Sequence, residues 1–311
     1  MSRLQKTINA PVRFMGKGLH SGRIVQLEVL PAAPGAGIIF QRTDTEGAIP
    51  ILAHALNISS TELSTKIGRG GNSISTVEHL MAAFAGMGID NALVRLNGPE
   101  VPVMDGSSLP FVMKFQEVGL KVQTAKKTWY KVKKAFEVRN GDQFIRVEPS
   151  NQRVIKCSIQ FKNSVIGFQA IDFKFTANNF SEICKARTFC HANDVKVMKS
   201  QGLALGGSLD NAVVVTDTEV MNSEGLRYND EFVRHKLLDL IGDLALLGHP
   251  LLADITAHKP GHTLHAQFMT EILTHKEQLL AEIELDHDAA APVDYKTQTE
   301  FNPIVLPAFV N

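Results

Sequence analysis

The chain has 311 residues, 44% hydrophobic and 21% charged, with 32 basic residues balanced by 32 acidic ones. That length supports a large core and suggests two domains, while the balanced charge leaves no global field to draw the chain to nucleic acid or an anionic membrane. The three cysteines, Cys157, Cys184 and Cys190, form neither a disulfide framework nor a metal-ligand spacing, and no apolar run reaches the roughly 18 residues of a membrane span. With no apolar signal core at the N-terminus, the expectation is a cytoplasmic protein with no transmembrane segment and no nucleic-acid partner.

Residues 3–30 read as two strands around the glycine turn Gly16-Lys17-Gly18-Leu19-His20-Ser21-Gly22. Residues 31–74 are short strand-like pieces broken at Pro34-Gly35, Glu46-Gly47 and Gly68-Arg69-Gly70-Gly71, which makes a small strand insert of about 40–74. Ser75 followed by Glu78 reads as a capping box opening a helix over 75–87 that stops at glycine. On spacing alone, Glu78 is as readily a cap as a catalytic group, and His79 as readily a satisfied core histidine as a ligand. A strand over 89–96 follows, then a turn at 103–108 into a helix ending near Gly119.

The basic segment 121–134 carries no helical stripe, which places a domain boundary near 125–127. Domain I is then 1–126 and domain II 127–285; the Ala-, Pro- and Thr-rich tail 286–311 is expected to be flexible. The second half repeats the first in outline, with strands between Trp129 and Phe175 and buried helices near its end, as a duplicated α+β unit would. Gly202 to Val215 reads as a helix end, a glycine turn and a strand, and His262 falls at a helix N-terminus.

The segment 230–247 is apolar on nearly every helical face yet carries His235, Lys236, Asp239 and Asp243. His235, Asp239 and Asp243 recur every four residues, in one drifting row. Burying an imidazole and two carboxylates is costly unless each finds a partner, and a divalent metal satisfies a His and an Asp one turn apart. An isolated His-x-x-x-Asp is better explained by an internal polar network or ion pair, so a metal requires a third ligand from elsewhere.

Taken together, Ser-Thr-Val-Glu-His-Leu at 75–80, Pro-Val-Met-Asp-Gly-Ser at 102–107, Ala-Arg-Thr-Phe at 186–189, His-Lys-Leu-Leu-Asp at 235–239 and Gly-His at 261–262 resemble the zinc-dependent UDP-3-O-acyl-N-acetylglucosamine deacetylases of lipid A biosynthesis. The resemblance runs in order from about residue 3 to about residue 285. It implies an α+β fold, a duplicated two-layer β-α-α-β sandwich with the active site between its helical layers. It also implies one zinc ion (Zn2+), with Fe2+ tolerated by the same donors, held by His79, His235 and Asp239 with a fourth position open for water.

Carried over by motif, Glu78 matches the general base that deprotonates water for attack on the acetamide carbonyl, and Thr188 the donor to the oxyanion. His262 matches the cationic acid, with Asp243 orienting it. The resemblance assigns substrate contacts to Lys236, Phe189, Phe161, Lys259 and His20. It assigns an acyl-chain passage, within an insert of about 190–215, to His191, Val195, Leu209 and Val214. It implies a UDP-linked acylated amino sugar as substrate, and the expectation for partners is a monomer with transient contact with a membrane surface through the acyl chain. The chain departs from the pattern at Gln143, where a basic residue is expected, and at Cys190 and His191. An amidohydrolase acting on another acylated amino sugar, and a non-catalytic zinc or nucleotide-sugar binding protein, are the competing readings. Retention of Glu78, Thr188 and His262 together favours catalysis.

Overall fold

The computed structural model describes residues 2–176 and 179–285, so the tail 286–311 lies outside the described residues. A five-stranded sheet in the first half is ordered Val12–Lys17, Ile24–Pro31, Ala92–Leu96, Ile38–Arg42 and Ile51–Leu52. Alternation sets its faces: Val25, Leu27 and Val29 point inward while Ile24 and Gln26 are exposed. Helices α1 (Glu78–Met87) and α2 (Leu109–Val118) belong to the same half. Phe14 meets Phe111 and Phe115 at centroid distances of 5.0 and 6.2 Å, and Phe84 stacks on Phe115 at 5.2 Å. Each such buried ring contributes about 1.5–3 kcal/mol.

The second half holds a seven-stranded sheet whose main path is Phe136–Asn140, Gln143–Pro149, Leu251–His258, Thr128–Val132 and Leu280–Glu284. Val154–Gln160 joins it in parallel with Leu251–His258 and pairs in antiparallel with Phe168–Lys174. Helix α3 (Ala192–Ser200) lies in the later insert, beside a short parallel pair of Phe189–His191 and Val213–Val215. Helices α4 (Glu231–Leu244) and α5 (His262–Thr274) pack against each other and against this sheet, with Phe268 of α5 on Phe136.

α1 and α4 pack directly on each other, so the helices of the two halves meet at the centre of an α+β fold. A glycine makes this close crossing feasible: a Cβ at Gly242 would lie 2.0 Å from the Glu78 carbonyl oxygen. The packing thereby sets the start of α1 against the C-terminal part of α4. Among the described residues no helix is long and apolar enough to cross a membrane.

Several local expectations require correction. The capping box is absent: Val77 occupies the N-cap, and the Ser75 hydroxyl donates instead to the Pro99 carbonyl at 3.3 Å. Thr76, in the left-handed region at φ 58°, turns the chain between Ser75 and the helix and so breaks the box geometry. The strand expected over 89–96 is only Ala92–Leu96, because the N–H groups of Asp90 and Asn91 donate to the Lys6 carbonyl. The first 30 residues contain three strands rather than two, the extra one being Leu4–Ile8, paired with Leu120–Lys126.

Candidate metal centre and adjoining cavity

The first residue of α1 is Glu78 and the second is His79, while α4 presents His235 and Asp239 one turn apart. All four are buried. His79 Nε2 and His235 Nε2 lie 3.6 and 3.3 Å from the same oxygen, Asp239 Oδ1. His235 Nδ1 pairs with the Ala186 carbonyl oxygen at 3.0 Å, which fixes the tautomer and leaves Nε2 as a lone-pair donor. Lys236 Nζ donates to Asp239 Oδ2 at 2.9 Å, whereas Asp239 Oδ1 is buried without a hydrogen-bond partner. His79 Nδ1 is also buried without one.

A buried carboxylate oxygen left unpaired is costly. A divalent cation between Oδ1 and the two imidazoles satisfies it, so the donor set fits zinc. Burial holds the His235 imidazole at about 3, keeping it neutral, the form in which an imidazole can bind a metal. Burial alone would raise Asp239, but His235 and Lys236 hold it well below the usual carboxylate range.

A second group, Asp243, His262 and His265, has similar spacing but is already satisfied by hydrogen bonds at the carboxylate. Asp243 Oδ2 pairs with His262 Nδ1 at 2.8 Å and with His265 Nδ1 at 2.6 Å, while Oδ1 accepts from the Thr65 hydroxyl at 2.6 Å. Burial alone would lower His262, but the Asp243 carboxylate overrides it and lifts the imidazole to about 9. Burial lowers His265, so the proton charge resides on His262. The other ring nitrogen, His262 Nε2, faces Glu78 Oε1 at 3.8 Å. Burial lifts Glu78 to about 7, and its Oε2 accepts the Thr65 N–H at 3.1 Å.

Beside these groups opens a cavity of about 740 Å3. Of the residues expected there, His20, Phe161, Thr188, Phe189, His191, Val195, Leu209, Val214 and Lys236 line it. Lys259 does not; its ammonium rests on Asp142. Phe189 is packed on Phe161 and Phe232 at 5.7 and 4.9 Å, with Lys236 Nζ 5.5 Å from its ring. His191 Nε2 meets Asp217 Oδ1 at 3.1 Å while its Nδ1 accepts the Asn193 N–H that opens α3.

The motifs around Asp105 and Arg187 are scaffolding for this wall. Arg187 is buried, with its backbone N–H and Nε donating to Glu231 Oε1 at 3.0 and 2.9 Å, which anchors the segment leading into Thr188. The Thr188 N–H donates to the Gly106 carbonyl at 2.8 Å. Gly106 sits at φ 84° where a Cβ would be 2.2 Å from the Asn211 carbonyl oxygen, so only glycine allows the three segments to converge. Thr65, Arg187 and Glu231 were not foreseen as site residues; Thr65 lies in an irregular stretch with no period or motif to expose it.

Two imidazoles and a carboxylate around one buried point, with a second carboxylate and a protonated histidine alongside, suit the chemistry of a hydrolase that works with a divalent cation. A sequence profile of the UDP-3-O-acyl N-acetylglycosamine deacetylase family matches residues 5–274, and the chain belongs to that family. The family is zinc-dependent and hydrolyses the amide of UDP-3-O-acyl-N-acetylglucosamine in lipid A biosynthesis, so the substrate is a small UDP-linked sugar.

Proposed function

We propose that His79, His235 and Asp239 hold the zinc ion, that Glu78 is the general base, and that His262 is the acid. The observation that carries this reading is Asp239 Oδ1, buried without a partner and within 3.6 Å of both imidazole Nε2 atoms. When bound, the ion supplies Lewis acidity, polarising the amide carbonyl and making water easier to deprotonate. Glu78, lifted to about 7, takes the proton from the attacking water. The Thr188 hydroxyl in the cavity wall donates to the developing oxyanion, an interaction stronger in the transition state than in the ground state.

His262 carries the positive charge that the oxyanion needs and then delivers its Nε2 proton to the departing amine. Asp243 keeps that proton on the ring and fixes its direction. Phe189 is the platform for the sugar ring and Lys236 a polar contact beside it, with Phe161 and His20 further along the cavity. The apolar stretch past His191, Val195, Leu209 and Val214 takes the acyl chain. Lys259 reaches the nucleotide only if its ion pair with Asp142 opens.

The halves divide as domains near 125–127, each with its own sheet. The protein works as a cytoplasmic monomer that meets a membrane surface only transiently, through the acyl chain; for the membrane contact, the balanced charge gives no standing attraction to anionic lipid and the exposed Val197 and Leu205 offer a small apolar surface. Acetate release from the UDP-linked acylated sugar tests the catalytic roles in His262→Ala and Thr188→Val. Each should lower kcat with KM little changed. A native kcat in either variant moves its role to another residue.

A further inference from the structure

At the C-terminal ends of α1 and α4 lies a second cavity of about 320 Å3 that shares no lining residue with the cavity beside the metal centre. Met81, Phe84 and Ala85 of α1 and Ile241 and Leu244 of α4 form its helical wall, and strand residues of both sheets and the loops at their ends contribute the rest. Its polar groups do not balance. Lys127 Nζ is 2.6 Å from Asp90 Oδ1, so those two charges cancel. Burial lowers both His54 and His249, which stay neutral near pH 7.

Arg153 is the remaining charge. Its guanidinium lies 4.0 Å from the Phe175 ring centroid and 5.6 Å from that of Trp129. Among the described residues it makes no side-chain hydrogen bond or ion pair. A guanidinium offers five donors in a planar fork suited to a carboxylate, and that of Arg153, partly exposed at the cavity, has no acceptor for them among the described residues. Stacking on aromatic faces satisfies its positive face but none of its N–H groups.

We propose that this cavity is a second ligand site, in which the Arg153 guanidinium receives the carboxylate of a small organic monoanion and the apolar wall receives its body. One uncompensated positive charge matches a monoanion; a phosphate dianion needs a second cation, and Lys127 is committed to Asp90. Phe84, Ile155 and Leu244 supply an apolar surface for a hydrocarbon or aromatic body. The ligand touches both α1, which carries His79, and α4, which carries His235 and Asp239. Its binding energy therefore adds to the packing of the two halves and raises the melting temperature.

The probe is 3-phenylpropionate, with neutral 3-phenylpropionamide as its control, added to the full-length zinc enzyme and followed by calorimetry and thermal unfolding. The native enzyme should bind one equivalent with Kd at or below about 1 mM, and the amide should bind at least tenfold more weakly. Arg153→Met, which keeps an apolar chain against Phe175 and Trp129, should weaken the acid at least tenfold and leave the amide unaffected. Ala85→Leu, which fills the cavity from α1, should abolish binding of both, while Leu209→Trp, which fills the other cavity, should change neither. Native-like binding to Arg153→Met, binding lost in Leu209→Trp but kept in Ala85→Leu, or no binding at 10 mM probe would each overturn the proposal.

Discussion

Replacing Glu78 by glutamine separates the chemistry of the carboxylate from its place in the fold. Glu78 Oε2 accepts the Thr65 N–H at 3.1 Å, and an amide oxygen accepts the same bond, so the start of α1 should survive. Burial lifts the carboxyl from 4.5 to about 7. At about 1.4 kcal/mol per pH unit, ionising it inside the metal-free fold costs on the order of 3 kcal/mol. Because the folded pKa is the higher one, this contribution to stability is complete below pH 4.5 and is lost as pH rises through 7. Glutamine has no charge to desolvate, so metal-free Glu78→Gln should melt at least as high as the native protein at pH 8, and the two should converge near pH 4. Turnover should fall by about 10² to 10⁴ with zinc fully loaded, equivalent to about 3–5 kcal/mol of barrier. The assay pairs acetate release with thermal unfolding. A variant that keeps its rate, or one that unfolds, refutes the base assignment.

The rate should follow a bell in pH, rising as Glu78 loses its proton and falling as His262 loses its own, with both limbs of the zinc enzyme below the metal-free values of about 7 and about 9 because the cation favours the deprotonated form of each. His262→Ala should flatten the basic limb; an unchanged limb would move the acid role to another group. Thr65→Ala removes a hydroxyl that donates to Asp243 at 2.6 Å and should lower stability by about 1–3 kcal/mol, with Thr65→Ser restoring most of it in thermal unfolding. Equal melting of the alanine and native forms would show the bond to be idle. Acyl preference should climb about fourfold per methylene, at about 0.8 kcal/mol each, until the 740 Å3 cavity is full. Leu209→Trp should move the optimum in kcat/KM to shorter chains, and a flat series in the native enzyme would contradict the passage.

Much of the centre was legible because α4 breaks an ordinary rule. His235, Asp239 and Asp243 are ionisable side chains on a helix that is otherwise buried, and that conflict is visible in one dimension. The relation between halves was legible only through the motifs, since nothing local to Glu78 or Gly242 says that their backbones touch. Thr65 stayed hidden because its work is done by long-range geometry, with its N–H on Glu78 and its hydroxyl on Asp243. The capping box misled because Ser75 and Glu78 have the right spacing, and only the left-handed turn at Thr76 cancels it. Likewise the His-x-x-x-Asp spacing could not show that Lys236 occupies one oxygen of Asp239 and leaves the other without a partner.

The most direct test is zinc stoichiometry after dialysis against a chelator and reloading with one equivalent of metal. The native protein should retain one ion per chain. His79→Ala, His235→Ala and Asp239→Asn should each weaken retention by orders of magnitude, whereas Asp243→Asn and His265→Ala should still hold one ion. Full occupancy in His235→Ala, or loss confined to the Asp243 and His265 variants, would place the metal in the neighbouring cluster and contradict the account.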